Sequence, residues 1–317
     1  MKILITDIAW PDIDIEREVL AEIGAEPILA ESSDESGLVA AAAGCCAIMT
    51  CWAKTTRAVI DACVDCRIVA RLGIGLDNID VAYCTERGIP VTNVPDYCIG
   101  EVADHAFALL LACARKVALF DCAIKAGNYS LQAGSPLHRI AGQTLGIIGF
   151  GKIGREVAKR AAAFGMRVLA LSRNLTDDEA KSAGAERSDL EAIFRDSDFV
   201  SLHAPLTAET EHLLGPDQFT KMKPTAFVIN TARGGIIDHD ALLEALNAGQ
   251  IQGAALDVTD PEPLPDDHPL ILHEKVIHTP HAAFSSEESV AELRQRTAQE
   301  VVRILKGEAP ENQVNVT

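Results

Sequence analysis

Leu145-Gly146-Ile147-Ile148-Gly149-Phe150-Gly151-Lys152-Ile153-Gly154-Arg155-Glu156-Val157-Ala158 sets three glycines at GxGxxG spacing between an apolar run and an amphipathic helix. Each glycine answers a different steric demand. Gly149 permits the tight turn, Gly151 lets a pyrophosphate approach the backbone, and Gly154 lets helix and strand pack closely. The helix N-terminus that follows offers N–H groups and positive potential to an anion. With a strand before it and a helix over residues 152–164 after it, the motif reads as a dinucleotide site, with Lys152 and Ile153 inside the turn.

Outward from this turn the same alternation continues. Downstream, short Val- and Ile-rich runs predict strands over residues 144–148, 167–171, 199–202, 226–230, 253–256 and 276–278, and a closing helix spans residues 287–306. Upstream, runs at residues 2–6, 26–29, 46–51, 67–71 and 90–92 make a second set of strands. Strands separated by helical stretches build parallel sheets through right-handed crossovers, so the fold class is α/β with two doubly wound parallel-sheet domains. An uninterrupted helix is expected from Glu101 to Lys125, faced with Ala106, Leu109, Leu110 and Cys113, as an interdomain or subunit contact. Residues 127–142 carry turn chemistry and read as a loop packed on a partner.

The chain has 317 residues, 48% of them hydrophobic, enough for two cores. A net charge of −18 without clustered Lys and Arg excludes a nucleic-acid partner, and 4% aromatic residues are too few for a base-stacking platform. The N-terminus meets Asp7 too early for a secretory signal, and no apolar run is long enough to span a bilayer. A cytoplasmic protein with no membrane partner is expected. All nine cysteines fall between Cys45 and Cys122, an odd count that argues against a disulfide framework. Cys63-Val64-Asp65-Cys66 lacks a second ligand pair for zinc, so no metal is expected and the cysteines read as small buried hydrophobes.

The end of the strand after the glycine turn selects the dinucleotide. An acidic residue there would hold both ribose hydroxyls and repel a 2′-phosphate. Here Ser172 takes that position and Arg173 follows, able to pair with a 2′-phosphate, which favours NADP over NAD.

Three further segments each follow a strand: Asn230 to Asp238, Ala255 to Pro263, and His278 to Ala283. In a doubly wound sheet ligands bind beyond the carboxyl ends of strands, so Arg233, Glu262 and His281 are expected to converge on one crevice. Reduction of a 2-keto acid asks for those residue types. It needs a cation for the carboxylate, a proton donor for the oxygen, and an acid to hold that donor charged. Asp260 is the rival for the acid, but the register of Glu262-Pro263 favours Glu262.

These segments, with Arg71-Leu72-Gly73-Ile74-Gly75-Leu76-Asp77-Asn78-Ile79-Asp80, Glu101-Val102-Ala103-Asp104-His105 and His203-Ala204-Pro205-Leu206-Thr207, resemble the D-isomer-specific 2-hydroxyacid dehydrogenase family over essentially the whole chain. The resemblance implies that His281 is the general acid/base, Glu262 its partner and Arg233 the anchor of the substrate carboxylate. It implies that Asp257 holds the nicotinamide carboxamide, that Thr231 and Ala232 line the nicotinamide side, and that Val102 is among the cofactor-binding residues. His203, Pro205 and Thr210 would line the adenosine side, and the backbone of Ile74 and Gly75 would meet the substrate carboxylate. It further implies a Rossmann domain at residues 100–285, a discontinuous flavodoxin-like substrate domain at residues 1–99 and 286–317, and a homodimer through the long helix. Closure of the domains would exclude water.

Within the family, the stretch Thr279 to Phe284 and the run Val94 to Val102 are most similar to members related to C-terminal-binding protein, which leaves a cofactor-sensing scaffold as the alternative to an enzyme. 3-Phosphoglycerate oxidation is the alternative within the enzymes, and only Arg71 and Lys54 are placed to meet a phosphate. Trp52, Tyr97 and Phe284 are candidates for the substrate wall, which would suit an apolar or aromatic 2-keto acid.

Overall fold

A computed structural model describes residues 1–315 of the chain. It divides into two compact units, Met1–Tyr97 with Ser286–Thr317, and Cys98–Ser285. In the first unit β1 (Lys2–Ile5), α1 (Asp14–Ala21), β2 (Glu26–Leu29), α2 (Glu35–Ala42), β3 (Ala47–Thr50), α3 (Arg57–Ala62), β4 (Val69–Arg71), α4 (Val81–Glu86) and β5 (Val91–Thr92) alternate. The strands form one parallel sheet in the order β2-β1-β3-β4-β5, the flavodoxin-like order. β3 and β4 are central parallel strands covered on both faces, and every residue of both is buried, Thr50 and Arg71 at their ends included. Asp34 and Asp80 start α2 and α4 by accepting the free N–H groups of Gly37 and Tyr83.

The second unit runs through α5 (Ile99–Arg115), α6 (Val117–Lys125), a 3₁₀ turn, β6 (Thr144–Ile148), α7 (Lys152–Ala163), β7 (Arg167–Leu171), α8 (Asp177–Ser182), β8 (Glu186–Arg187), α9 (Leu190–Asp196) and β9 (Phe199–Leu202). It continues through α10 (Pro216–Lys221), β10 (Phe227–Asn230), a second 3₁₀ turn, α11 (His239–Ala248), β11 (Gly253–Leu256) and β12 (Val276–His278). Its seven-stranded parallel sheet has the order β12-β11-β10-β9-β6-β7-β8, a Rossmann order extended at one edge. Alternation sorts the side chains by face. Leu145, Ile147, Val168, Ala170, Ile229 and Ala255 enter one core, while Ile148, Leu169, Val200, Val228, Ala254 and Leu256 enter the other.

The chain then returns to the first unit as α12 (Glu287–Lys306), started by Ser286, whose hydroxyl accepts the Ser289 N–H. The buried Arg294 guanidinium fixes this helix. It donates to both carboxylate oxygens of Glu16 on α1 at 2.9 and 2.7 Å. Paired in this bidentate way, with Nη2 also donating to Asp12, the guanidinium ties α12 to α1.

The single helix expected over residues 101–125 is two. Lys116 adopts a left-handed φ of 51°, which interrupts the ladder and separates α5 from α6. α5 buries a continuous face from Val102 to Cys113, whereas α6 buries none of its residues. β8 was not foreseen; its two residues are exposed and charged and carry no apolar signal. Among the described residues no helix is long and apolar enough to cross a membrane.

Candidate active site

The glycine turn lies where the strand order of the second unit reverses, between β6 and β9. Gly149 has φ +97°, and a Cβ on it would stand 2.3 Å from the backbone of His203, the residue after β9. A Cβ on Gly154 would stand 2.3 Å from the Gly149 carbonyl, so the first turn of α7 sits directly on the loop. Gly151 differs, because a Cβ there would meet nothing within 4 Å. That open side of the loop, at the N-terminus of a helix, fits the pyrophosphate of a dinucleotide. Lys152 and Ile153 begin the helix.

Ser172 and Arg173 follow β7. Arg173 is 79% exposed at its side chain, 3.8 Å from the equally open carboxylate of Glu209, so the guanidinium is held by little. The His203 ring shares a 2.9 Å hydrogen bond with Ser201 Oγ, and burial pushes its pKa down to about 4, which keeps it neutral. Thr210 Oγ1 donates to the Pro205 carbonyl at 2.7 Å and accepts the Thr207 N–H, closing the loop after β9.

On the other side of the crevice, β10, β11 and β12 are neighbours, and Asn230, Leu256 and His278 end them in register. Thr231, Ala232 and Arg233 continue from the first, Asp257 from the second and His281 from the third. The register therefore brings the three segments to one edge of the sheet. Asn230 fixes the first loop by accepting the Ala232 N–H and donating to the Arg233 carbonyl. Gly234 is required there, because its Cβ would stand 2.0 Å from the Thr259 carbonyl group. Thr231 Oγ1 is buried and finds no hydrogen-bond partner among the described residues, a donor suited to a bound polar group such as a carboxamide.

His281 Nδ1 donates to Glu262 Oε1 at 2.7 Å, with the histidine 22% and the glutamate 39% exposed at their side chains. Because a carboxylate only accepts, this contact fixes the proton on Nδ1 in the neutral ring. Asp260 faces elsewhere, with Oδ2 3.2 Å from where a Gly235 Cβ would be. Phe284 meets the His281 ring edge-on at 6.1 Å between centroids. His281 has φ 52°, a left-handed conformation that non-glycine residues adopt only when the surroundings impose it.

Those surroundings are Asp257. Its carboxylate is buried and accepts from Thr279 Oγ1 at 2.6 Å, the Ala282 N–H at 2.8 Å and the Ala283 N–H at 3.0 Å. His105 on α5 touches Thr279 Oγ1 at 3.0 Å and lies 3.5 Å from the same carboxylate. The sequence gives His105 and Thr279 no role, although each is a polar residue beside an apolar run. Val102, one turn before His105, is buried.

In the first unit, Trp52 lies in the loop after β3, exposed, with its N–H held at 2.8 Å by Asp7 Oδ2; Asp7 also accepts from Cys51 and Ala53. Tyr97 is buried. Ile74 and Gly75 lie in the loop after β4, wrapped around the Arg71 guanidinium, which donates to the carbonyls of Leu72, Gly75 and Thr50. Asn93 donates to the Ile74 carbonyl at 2.8 Å. Arg71 is thereby an internal brace of the loop.

Residues 107–283 match the model of the D-isomer specific 2-hydroxyacid dehydrogenase NAD binding domain. A glyoxylate reductase of Korarchaeum cryptofilum is 44% identical over 81% of this chain and 78% of its own length. A D-3-phosphoglycerate dehydrogenase of Methanocaldococcus jannaschii is 37% identical over 100% of this chain, which spans 60% of that protein. Among solved structures, D-lactate dehydrogenase from Aquifex aeolicus, complexed with NAD and lactic acid, is 28% identical with a TM-score of 0.88 over 100% of both chains. Sheet order, glycine turn and these similarities lead to one conclusion: the chain belongs to the D-isomer-specific 2-hydroxyacid dehydrogenase family, nicotinamide-dependent oxidoreductases that act on a CH–OH group.

Proposed function

We propose that the chain reduces a small 2-keto acid that carries no phosphate, with NADPH preferred over NADH. The observation that carries the catalytic part is the 2.7 Å hydrogen bond from His281 Nδ1 to Glu262, residues that follow β12 and β11, with β11 in turn beside the strand leading to Arg233. Protonated His281 delivers its Nε2 proton to the carbonyl oxygen, and Glu262 stabilises the imidazolium until then. Arg233 grips the carboxylate and fixes which face of the carbonyl is presented. When bound, the nicotinamide supplies the hydride that reduces the carbonyl carbon. Thr231 Oγ1 and the residues around Asp257 hold and orient its ring.

Two features support the finer parts. Ser172 puts no carboxylate beside a 2′-phosphate and the exposed Arg173 offers it a cation. Arg71, buried at the end of β4, donates to three backbone carbonyls through Nε and Nη1, which argues against a role in holding a phosphorylated substrate such as 3-phosphoglycerate. We also infer a homodimer, because α6 buries none of its residues and exposes Val117 and Ile124, with Tyr129 and Leu131 exposed just beyond.

Steady-state rates with glyoxylate, hydroxypyruvate, phenylpyruvate, branched 2-keto acids and 3-phosphohydroxypyruvate, each with NADH and NADPH, test the proposal. A higher kcat/KM for the phosphorylated acid than for every other, or for NADH than for NADPH, overturns the corresponding part.

A further inference from the structure

Five of the nine cysteines gather in the first unit, away from the strand ends that lead to Trp52 and Ile74. Cys45 and Cys46 immediately precede β3, and Cys63 and Cys66 lie in the turn between α3 and β4. Since β3 and β4 are hydrogen-bonded neighbours, both pairs come to the N-terminal edge of the sheet. Cys84, on α4, packs in the same core as Cys45, Cys63 and Cys66. The Arg67 N–H donates to the Cys46 carbonyl at 2.9 Å, and the Cys63 thiol donates to the Cys45 carbonyl at 3.1 Å.

Cys63 and Cys66 stand apart within this group. The Cys66 N–H donates to the Cys63 carbonyl at 2.9 Å, closing a four-residue turn. A turn of that kind brings its first and last Cα atoms within about 7 Å, and a disulfide spans roughly 4.4–6.8 Å between Cα atoms. The Cys66 thiol is turned to the Ile68 carbonyl at 3.5 Å. Their exposure is unequal, with Cys63 fully buried and Cys66 partly open. The neighbouring Cys63 thiol lowers the pKa of Cys66, and Arg87 adds to this, while the same proximity together with burial raises that of Cys63. Burial raises the pKa of Cys45 and Cys46 despite the nearby Lys2, Arg67 and terminal amino group, which sets Cys66 apart from them. This is a partly open thiol, lowered in pKa, with a buried resolving thiol three residues before it. Among the described residues no group of three or more His, Cys, Asp or Glu is disposed to hold a metal ion.

We propose that Cys63 and Cys66 form a reversible dithiol–disulfide site, oxidised by a low-molecular-weight disulfide, at the edge of the first sheet opposite the ligand loops. The Cys66 thiolate attacks the small disulfide, forming a mixed disulfide as the small molecule's S–S bond breaks and one of its sulfurs leaves as thiolate. Cys63 then gives its proton to water, its sulfur bonds to that of Cys66, and the second small thiolate leaves. The protein dithiol loses two electrons and the small disulfide becomes two thiols.

Trypsin makes the test direct, because Ala58–Arg67 is one tryptic peptide holding both cysteines, whereas Cys45, Cys46 and Cys51 all fall in Glu18–Lys54. The native full-length protein is incubated with oxidised glutathione, alkylated after unfolding and digested. The expected result is an Ala58–Arg67 peptide with two alkyl groups before oxidation and none after, lighter by two hydrogens, with both groups regained after dithiothreitol. A Cys63→Ser variant should instead hold glutathione stably on Cys66. A peptide that keeps two alkyl groups, a cross-link between Ala58–Arg67 and Glu18–Lys54, or a wild-type adduct that never resolves overturns the proposal. None of these readouts depends on the dehydrogenase activity, so the site stands or falls apart from the proposed substrate.

Discussion

The backbone N–H of His281 donates to the carbonyl of Asp257 at 2.8 Å, and the carboxylate of the same aspartate accepts the N–H groups of the next two residues. The histidine therefore sits on a turn whose left-handed conformation is imposed by one buried acid. In Asp257→Asn an NH₂ must face one of those donors whichever way the amide turns. The expected cost is about 1–3 kcal/mol of stability from the unsatisfied buried group. Misplacement of the imidazole should lower kcat by roughly 10²-fold while the sheet remains folded. Urea denaturation and steady-state kinetics on the same preparation check both; wild-type kcat in the variant removes the positioning role of Asp257.

His281→Ala removes the proton donor and leaves the glycine turn untouched. The expected loss in kcat is about 10²- to 10⁴-fold, the range general acid–base catalysis supplies. Dinucleotide affinity, read by fluorescence titration, should stay near that of the wild type. Glu262→Gln keeps the shape but stabilises the imidazolium less, so its kcat should fall between the two. A Glu262→Gln variant as fast as wild type would falsify the pair.

Gly151 and Gly154 are distinguished by what surrounds them. Gly151→Ala adds a methyl to open space at φ −78°, so thermal stability should be unchanged while the KM for the dinucleotide rises several-fold, because the methyl occupies the pyrophosphate's approach. Gly154→Ala drives the methyl into the Gly149 carbonyl at 2.3 Å, so stability itself should fall, by about 1–3 kcal/mol as for an overpacked site. Equal melting temperatures for the two variants contradict this division.

The parallel sheets were legible because buried parallel strands are predominantly apolar and the helices between them are not; β3, β6 and β9, each with a single hydroxyl residue, announce themselves this way. The glycine turn was legible because steric demand leaves only one residue type. The break at Lys116 was not, since lysine carries no signal for a left-handed conformation and α6 continues the apolar pattern of α5. The roles of Asp257 and Arg71 escaped for a related reason. Both brace loops through contacts with backbone groups, and a backbone acceptor or donor leaves no trace in the identity of the residue that supplies it. Likewise, the turn that joins Cys63 to Cys66 is visible as spacing, but the unequal burial that divides their roles is tertiary.

The proposed NADP preference rests on two neighbouring side chains after β7, Ser172 and Arg173. Ser172→Asp places a carboxylate where it accepts from ribose hydroxyls and repels a 2′-phosphate, so the ratio of kcat/KM for NADPH to that for NADH should drop by about tenfold or more, equivalent to roughly 1.4 kcal/mol. Arg173→Gln should lower the same ratio with little effect on NADH. An unchanged ratio in both variants means that neither side chain reaches the ribose, and the NADP preference loses its support.

His203 makes stability depend on pH. Its pKa is about 4 in the fold, where burial keeps the ring neutral, and returns to about 6.5 when the chain unfolds and water reaches it. Between those values the unfolded chain binds the proton and the folded chain does not, so acid favours unfolding. The contribution is complete above the unfolded pKa and is lost as pH falls toward the folded one, by about 3 kcal/mol at the most. His203→Asn retains a polar partner for Ser201 Oγ without a titrating ring. Denaturation series at pH 7.5, 6.5, 5.5 and 4.5 should show the wild type losing stability more steeply than this variant, and parallel pH profiles mean that the ring stays hydrated in the fold.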